Sequence, residues 1–158
     1  MQMNTDPMQV DLAMDLAVSA HKDQVDDAGK AYILHPLRLM MKFEDVSHQV
    51  AALLHDVLED TGYTREYLIA AGIHETTVEA LVALKRVKGE SYSDYITRLS
   101  KNPIAVQVKM ADIEDNINVL RLGTLTDYHL RRVRKYHEAW SRLSAHRNSS
   151  CPSLGAEA

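Results

Sequence analysis

Three short clusters of ionisable residues are the part of this sequence that could perform chemistry. The first is His55 and Asp56, followed one turn later by Glu59 and Asp60, directly after the apolar run 50–54. His55/Glu59 and Asp56/Asp60 are each four residues apart, so each pair shares one side of a helix. Charged groups at the inner end of an apolar helix are costly unless they are paired or metal-bound. The other open interpretation is a helix end with solvated acids and a capping histidine.

The second and third clusters lie on other parts of the chain. His35 stands immediately before Pro36, which favours an extended or N-cap position over a helix interior. Lys109, Asp112 and Asn116 are spaced by three and four residues and therefore line one side of a predicted helix. A histidine before a proline is often purely structural, and an acidic helix face is usually solvated, so both clusters also have an ordinary explanation.

Two histidines and two aspartates on separate helices make a candidate metal site. Imidazole and carboxylate ligands together suit Mn²⁺, Fe²⁺ or Zn²⁺ and do not choose among them. A metal held in this way would acidify a bound water and polarise a phosphoryl oxygen. Glu59 and Asp60 would then orient or deprotonate that water.

Composition limits the protein classes that can use such a site. The chain has 158 residues, a net charge of −4 and eight histidines, which is typical of one globular domain that lacks the positive charge of a nucleic-acid binder. Its single cysteine, Cys151, cannot form an internal disulfide or a thiolate zinc site. The first residues lack the basic start of a signal peptide, and no apolar run approaches the about 20 residues that cross a bilayer. We therefore expect a cytoplasmic protein without a membrane or nucleic-acid partner.

The elements that must position these residues are predicted to be helices. Apolar residues recur at helical spacing between glycines and prolines, alternating strand patterns are absent, and Asn102–Pro103 resembles an N-cap followed by the first helical residue. The fold class is therefore all-α, one domain over residues 1–147 followed by a disordered tail over 148–158. The predicted helices, about eight in number, lie near 7–22, 36–43, 46–60, 64–71, 75–87, 91–101, 103–121 and 126–146.

The order of these motifs resembles a known family. His35-Pro36, then His55-Asp56-x-x-Glu59-Asp60-Thr61, then Lys109-x-Ala111-Asp112-x-x-x-Asn116 is similar to the HD-domain hydrolase of RelA/SpoT-type alarmone enzymes. The resemblance covers roughly residues 8–145 and is closest in size to the free-standing small alarmone hydrolases. It implies a single helical HD-domain bundle.

The resemblance also implies a reaction and a set of roles. The reaction is removal of the 3′-pyrophosphate from guanosine tetra- or pentaphosphate (ppGpp, pppGpp), giving GDP or GTP, by a chain with no residues left for a synthetase domain. His35, His55, Asp56 and Asp112 would hold one divalent metal, most simply Mn²⁺, with Fe²⁺, Zn²⁺ and Co²⁺ as the other candidates. Glu59 and Asp60 would manage the attacking water. The implied substrate contacts are Lys22, Tyr32, Lys109, Asn116 at the ribose, and the pair Arg132 and Tyr136 at the phosphates.

One segment departs from the family pattern. Between Gln24 and Gly29, where the family carries a basic run that contacts the base and phosphate, this chain has Asp26-Asp27-Ala28. Two acids there would repel an anionic nucleotide by about 1 kcal/mol for each exposed close pair of like charges. Two alternatives therefore stay open: an HD-domain hydrolase for another nucleotide, such as a nucleoside monophosphate or the 2′-phosphate of NADPH, and a non-catalytic nucleotide or partner binder.

Overall fold

The helical spacing of the sequence is realised as a bundle in the computed structural model, which describes residues 6–150. This part of the chain contains nine α-helices, one 3-10 helix and an isolated β-bridge between Val25 and Ala31, but no strand. The all-α prediction is confirmed. The helices are α1 (Met8–Ala20), α2 (Leu34–Met40), α3 (Val46–Leu54), α4 (Val57–Asp60), α5 (Arg65–Ala71), α6 (Glu75–Leu84), α7 (Tyr92–Leu99), α8 (Pro103–Asn116), the 3-10 helix (Val119–Arg121) and α9 (Asp127–Ser150).

Helix α3 forms the centre of the bundle because its second half is apolar on every side. Residues 50–54 have no exposed surface, and α3 packs against α1, α2, α6 and α8. Full burial stabilises each leucine or valine side chain by about 1.5–3 kcal/mol relative to exposure. The C-terminal end of α3, where His55 follows, is therefore firmly held.

Helix α8 is the second buried element and carries both apolar and charged residues. Ala105, Val108 and Ile113 have no exposed surface, while Asp112 and Asp115 are also buried. The helix packs against α2, α3, α6 and α9. The two buried carboxylates thus lie where α2, α3 and α8 meet.

Side-chain caps define several helix starts. Asp45, Thr64, Ser91 and Asn102 each accept a hydrogen bond from the backbone N–H three residues further on. Such a bond satisfies a donor that has no partner within the helix. The predicted Asn102 cap with Pro103 as the first helical residue is confirmed.

The single helix predicted over 46–60 is wrong. The helical hydrogen-bond pattern is interrupted at His55 and Asp56, which form a turn with right-handed helical torsions, so α3 and α4 are separate helices. The carbonyl of Ala52 is 2.8 Å from Nδ1 of the His55 ring, and this side-chain bond competes with the helical bond from Asp56 N–H.

Five other predicted helices end two to five residues too late (7–22, 36–43, 75–87, 91–101 and 103–121), and one ends too early (126–146). Helix α6 stops at Leu84, because Arg98 donates to the carbonyls of Ala83 and Lys85. Helix α8 stops at Asn116, where Arg121 donates to the carbonyl of Asp115. Helix α9 continues to residue 150, so 148–150 are helical, and the rest of the predicted tail, with Cys151, lies outside the described residues.

Across residues 6–150, no helix combines the length and the apolar character needed to cross a membrane.

Candidate active site

His55 and Asp56 lie at the break between α3 and α4, with the His55 ring almost fully buried. A carbonyl oxygen can only accept, so the contact with Ala52 assigns the ring hydrogen to Nδ1. In the neutral ring Nε2 then presents a lone pair. This Nε2 lies 2.9 Å from Oδ2 of Asp56.

His35 enters the same space from the first turn of α2. The prediction of an extended or N-cap position is wrong, because Pro36 is tolerated in a first turn, where N–H groups have no helical partner. Nδ1 of the buried His35 ring lies 2.6 Å from Oδ2 of Asp115. The carboxylate assigns the hydrogen to Nδ1 and leaves the lone pair of His35 on Nε2.

The free ring nitrogens of the two histidines point at each other. His35 Nε2 and His55 Nε2 are 3.1 Å apart, and Asp112 Oδ1 lies 3.0 Å from the first and 3.6 Å from the second. Ligand atoms of His35, His55 and Asp56 all fall within 4.8 Å of one another. When both rings are neutral, lone pairs and carboxylates converge here with no donor between the rings, so a cation between them, either a proton on Nε2 or a metal ion, is stabilised. Metal-bound histidines typically donate the other ring N–H to a carboxylate or carbonyl, as both rings do here.

The pKa values of this cluster follow its excess of negative charge. Burial lowers the pKa of His55, but Asp56 and Asp112 outweigh it and hold that pKa well above the usual range. Burial also lowers the pKa of His35, but the hydrogen bonds to Asp112 and Asp115 outweigh burial and raise this pKa above its usual value. Burial raises the pKa of Asp56, but the opposing effect of His55 outweighs burial, and the pKa is lowered to about 2. The four residues are thus suited to bind a divalent cation.

Asp112 is oriented by its neighbours on α8, as the spacing predicted. Lys109 Nζ lies 2.7 Å from Asp112 Oδ2, and Asn116 Nδ2 donates to Asp112 Oδ1 over 2.7 Å. Burial raises the pKa of Asp112, but Lys109 and His35 hold it well below the usual range. Asp112 is therefore a charged carboxylate with one oxygen directed at the histidines.

Glu59 and Asp60 lie on α4, on the wall of the cavity that contains these ligands. Both are exposed to solvent within it. Glu59 Oε2 accepts only a long bond, 3.4 Å, from the backbone N–H of Arg86. Burial and the charges of Asp56 and Glu59 raise the pKa of Asp60. Two carboxylates with accessible oxygens thus stand beside the candidate metal site, and Asp60 has increased proton affinity.

A cavity of about 460 Å³ connects the metal-ligand cluster to solvent. Tyr32 donates from its hydroxyl to Asp56 Oδ2, and Arg132 Nη2 lies 3.3 Å from the Tyr136 hydroxyl. Lys22, another predicted substrate contact, is exposed after the end of α1 and is not among the residues that line the cavity, so its contact stays a prediction. The other predicted substrate contacts all line the cavity: Tyr32, Lys109, Asn116, Arg132 and Tyr136.

The two acids that were expected to repel a nucleotide are already engaged. Asp26 Oδ1 accepts bonds of 2.9 Å from the backbone N–H groups of Ala28 and Lys30 and so closes its own turn. Asp27 Oδ2 lies 2.7 Å from Nη1 of Arg132 on α9. The repulsion is therefore weaker than the sequence suggested, and Arg132 is partly neutralised.

Sequence reasoning missed a buried carboxylate and several cavity-lining cations. Asp115 is three residues after Asp112, so the spacing that selected Lys109 could have found it. Arg38 and Arg121 carry no local signal, because only the packing of α2 and the 3-10 helix against α8 brings them to Asp115. Other missed groups lining the cavity are Arg86, Tyr92, Tyr95 and Lys135.

Comparison with known proteins finds relatives that match most of this chain. A protein of Mycobacterium leprae described as a probable GTP pyrophosphokinase is 34% identical over 124 residues, covering 71% of this chain and 16% of that protein. The bifunctional (p)ppGpp synthase/hydrolase SpoT of Escherichia coli K12 is 32% identical over 149 residues, covering 84% of this chain and 20% of SpoT. No family model matches the chain. The chain thus spans at most about a fifth of the length of these relatives.

A solved structure has the same fold. It is described as a metazoan ortholog of SpoT that hydrolyzes ppGpp, and it superimposes with a TM-score of 0.69 over 93% of this chain and 98% of the other. Sequence identity in this pair is 18%, so the likeness concerns the fold. The predicted resemblance to the RelA/SpoT-type hydrolase domain is confirmed.

Proposed function

We propose that this relative of the RelA/SpoT-type alarmone enzymes is a metal-dependent hydrolase that converts ppGpp or pppGpp to GDP or GTP and pyrophosphate. The observation that carries the proposal is the convergence of His35 Nε2, His55 Nε2 and the Asp56 and Asp112 carboxylates beside a nucleotide-sized cavity. The SpoT-like proteins that share the sequence and the fold support the same reaction. The proposal covers hydrolysis alone.

The proposed ligands of the metal are His35, His55, Asp56 and Asp112, and the proposed ion is Mn²⁺. Mixed nitrogen and oxygen donors suit this ion, and they also suit Fe²⁺, Zn²⁺ and Co²⁺, which are the ions to compare. A divalent ion bound there supplies Lewis acidity at a phosphoryl oxygen and lowers the pKa of a bound water.

Glu59 and Asp60 are proposed to handle the attacking water. A bond forms between the water oxygen and the phosphorus attached to the ribose 3′-oxygen, and the bond from that oxygen to phosphorus breaks. The proton that the water loses passes to one of the two carboxylates, and the resulting carboxyl group returns a proton to the ribose 3′-oxygen, which leaves as a hydroxyl. The raised pKa of Asp60, caused by burial and by its acidic neighbours, supports its role as proton acceptor.

The remaining cavity residues are proposed to bind the substrate. Lys109 and the Arg132–Tyr136 pair present positive charge and hydroxyl groups to phosphate, and the Asn116 amide is close enough to Asp112 to contact the ribose beside the reacting bond. The Tyr32 hydroxyl, bound to Asp56, holds that ligand in place.

The test is turnover with a defined metal. The metal-free protein is loaded with Mn²⁺, Fe²⁺, Zn²⁺ or Co²⁺ in turn, and release of pyrophosphate and GDP from ppGpp is measured. We expect turnover, and we expect Glu59→Gln to lower kcat by about 10²-fold or more while leaving metal content unchanged. An absence of turnover in protein that demonstrably holds metal would contradict the proposal.

A substrate panel separates the alternatives. NADPH and nucleoside monophosphates are assayed beside ppGpp, and a clear preference for one of them would transfer the same chemistry to another nucleotide. The hydrogen bonds of Asp26 within its own turn and the ion pair of Asp27 with Arg132 support the guanosine substrate, because both carboxylates already have partners and repel a nucleotide less.

A biological role that survives both Glu59→Ala and Asp60→Ala would favour the non-catalytic function. Localisation to the cytoplasm and a single domain over residues 1–147 both remain predictions.

A further inference from the structure

The cavity carries a second group of charged residues that the proposed reaction does not use. Asp115 is buried and is held by two arginines that line the cavity. Arg38 donates from Nε to Oδ1 over 2.8 Å and from Nη2 to Oδ2 over 2.9 Å. Arg121 donates to the same two oxygens over 3.2 Å each and also to the Asp115 carbonyl. We call Arg38, Asp115 and Arg121 the arginine clamp.

The arginine clamp has surplus positive charge and surplus donors. Within the clamp, two guanidinium groups against one carboxylate leave a net charge of +1 when His35, the third partner of Asp115, is neutral. About one third of each arginine side chain is exposed, and no described residue accepts a hydrogen bond from Nη1 of Arg38 or Nε of Arg121. Guanidinium groups held in a fixed orientation favour phosphate oxygens, which they bind through paired hydrogen bonds.

The arginine clamp lies on the opposite side of Asp112 from Lys109 and Arg86. Lys109, Asp112 and Asp115 follow one another along α8 at intervals of three residues, about 4.5 Å each along the helix axis. At the Lys109 end, Lys109 Nζ and the Arg86 guanidinium lie 5.6 and 5.9 Å from the centre of the Tyr95 ring. Asp112, the central member, carries the metal-directed oxygen. Positive charge therefore flanks the reacting centre on both sides.

Such an arrangement suits a nucleoside with phosphate groups at both the 3′ and the 5′ positions. The amide of Asn116 bonds Asp112 from the Asp115 side. With Asn116 at the ribose, as proposed above, the ribose would lie on that side and the leaving pyrophosphate toward Lys109. We propose that Arg38 and Arg121, clamped by Asp115, form the subsite for the 5′-diphosphate of the substrate. This inference rests on the proposed function, because it assumes that the 3′-diphosphate is the reacting group.

The test is Arg121→Gln, which leaves Asp115 held by Arg38 and His35. Two substrates are compared, ppGpp and guanosine 3′-diphosphate, which lacks the 5′ phosphates. We expect KM for ppGpp to rise about tenfold with kcat nearly unchanged, and KM for guanosine 3′-diphosphate to stay the same. Arg131→Gln is the matched control, since Arg131 is exposed on α9 and does not line the cavity.

Binding of GDP by calorimetry provides a readout that does not depend on turnover. GDP is the product that carries the 5′-diphosphate, so its dissociation constant should rise about tenfold in Arg121→Gln, partly recover in Arg121→Lys and stay unchanged in Arg131→Gln. An equal rise of KM for both substrates would overturn the inference by assigning Arg121 to the base, the ribose or the fold. Unchanged GDP affinity would overturn it too. If the wild-type protein hydrolyses neither substrate, the proposed function fails, and the GDP measurement still decides the subsite.

Discussion

At the scale of single residues, the two histidines among the proposed metal ligands are oriented by the hydrogen bond that each makes through Nδ1. Nδ1 of His35 and Nδ1 of His55 are held by Asp115 and by a backbone carbonyl, and only this leaves both Nε2 atoms free for a cation. A histidine with its Nδ1 in solvent would divide its population between tautomers. The surrounding hydrogen bonds therefore preorganise the ligands.

Replacing Asp112 tests this preorganisation directly. Asp112→Asn removes the charge that compensates Lys109 and one ligand oxygen, while keeping the side-chain shape. We expect metal binding and turnover to be lost together, and the free energy of unfolding to fall by about 3 kcal/mol because the Lys109 charge remains buried without its partner. Metal analysis and denaturant unfolding check this, with Asp15→Asn on the exposed side of α1 as control. Full metal occupancy in Asp112→Asn would remove Asp112 from the ligand set.

Asp27 provides a second test, this time of substrate affinity. Its ion pair with Arg132 is more than half exposed on the Asp27 side, so it adds little stability, but it competes with phosphate for the guanidinium. Asp27→Asn should therefore lower KM for ppGpp about two- to fivefold with unchanged thermal stability. Asp23→Asn is the control, because Asp23 is exposed in the same connection and its positive φ of 63° is tolerated by asparagine. A KM that rises in Asp27→Asn would show that the pair positions Arg132 and does not compete with substrate.

At the scale of elements, the site depends on where helices stop. The break at His55, the end of α6 at Leu84 and the end of α8 at Asn116 each occur where a side chain takes a backbone group from the helical pattern. Each of these three ends faces the cavity or its lining residues. The periodicity of apolar residues predicts that these helices exist, but it continues through their ends, so it cannot predict the breaks.

The connection between α6 and α7 offers a pH-dependent test of one such end. Arg98 donates to Glu90 over 2.7 and 3.0 Å, and this bond, against a smaller effect of burial, lowers the pKa of Glu90 from 4.5 to about 2. A carboxyl group whose pKa is lower in the folded state stabilises the fold above pH 4.5, and this contribution is lost as the pH falls toward 2. We expect Glu90→Gln to be less stable than wild type near pH 6 and the difference to shrink between pH 4.5 and 2. Glu138→Gln, at an exposed position on α9, is the control in chemical unfolding; a difference independent of pH would contradict the assignment.

At the scale of the whole molecule, the metal ligands join parts of the bundle that are distant along the chain. His35 comes from α2, His55 and Asp56 from the α3–α4 break, and Asp112 from α8. Helices α2 and α8 pack against α3 and against each other, so the ligands meet only when all three helices are packed together. Occupation of the site should therefore stabilise the entire fold, because the unfolded chain does not hold the ligands in place.

Metal removal and return measure this coupling. Mn²⁺ at about 100 times its dissociation constant should stabilise the metal-free protein by about 2.7 kcal/mol, which raises the melting temperature by about 5–10 °C. Ca²⁺ at the same concentration should raise it less, since this ion prefers a shell of oxygen ligands. His35→Ala should abolish the Mn²⁺ effect. An equal rise with Ca²⁺, or a rise that persists in His35→Ala, would place the stabilising ion elsewhere.

The sequence by itself determined the helical fold, the family resemblance and the choice of His35, His55, Asp56 and Asp112 as candidate metal ligands. These features follow from local spacing and from residue types whose chemistry is the same in any context. The tertiary structure alone decided that both Nε2 atoms face each other, that Asp27 neutralises Arg132, and that Arg38 and Arg121 meet at Asp115. The partners in these contacts are 20, 105, 77 and 6 residues apart along the chain. Even the shortest of these separations crosses a helix end, so the contacts depend on how the helices pack and where they stop, which apolar periodicity does not encode.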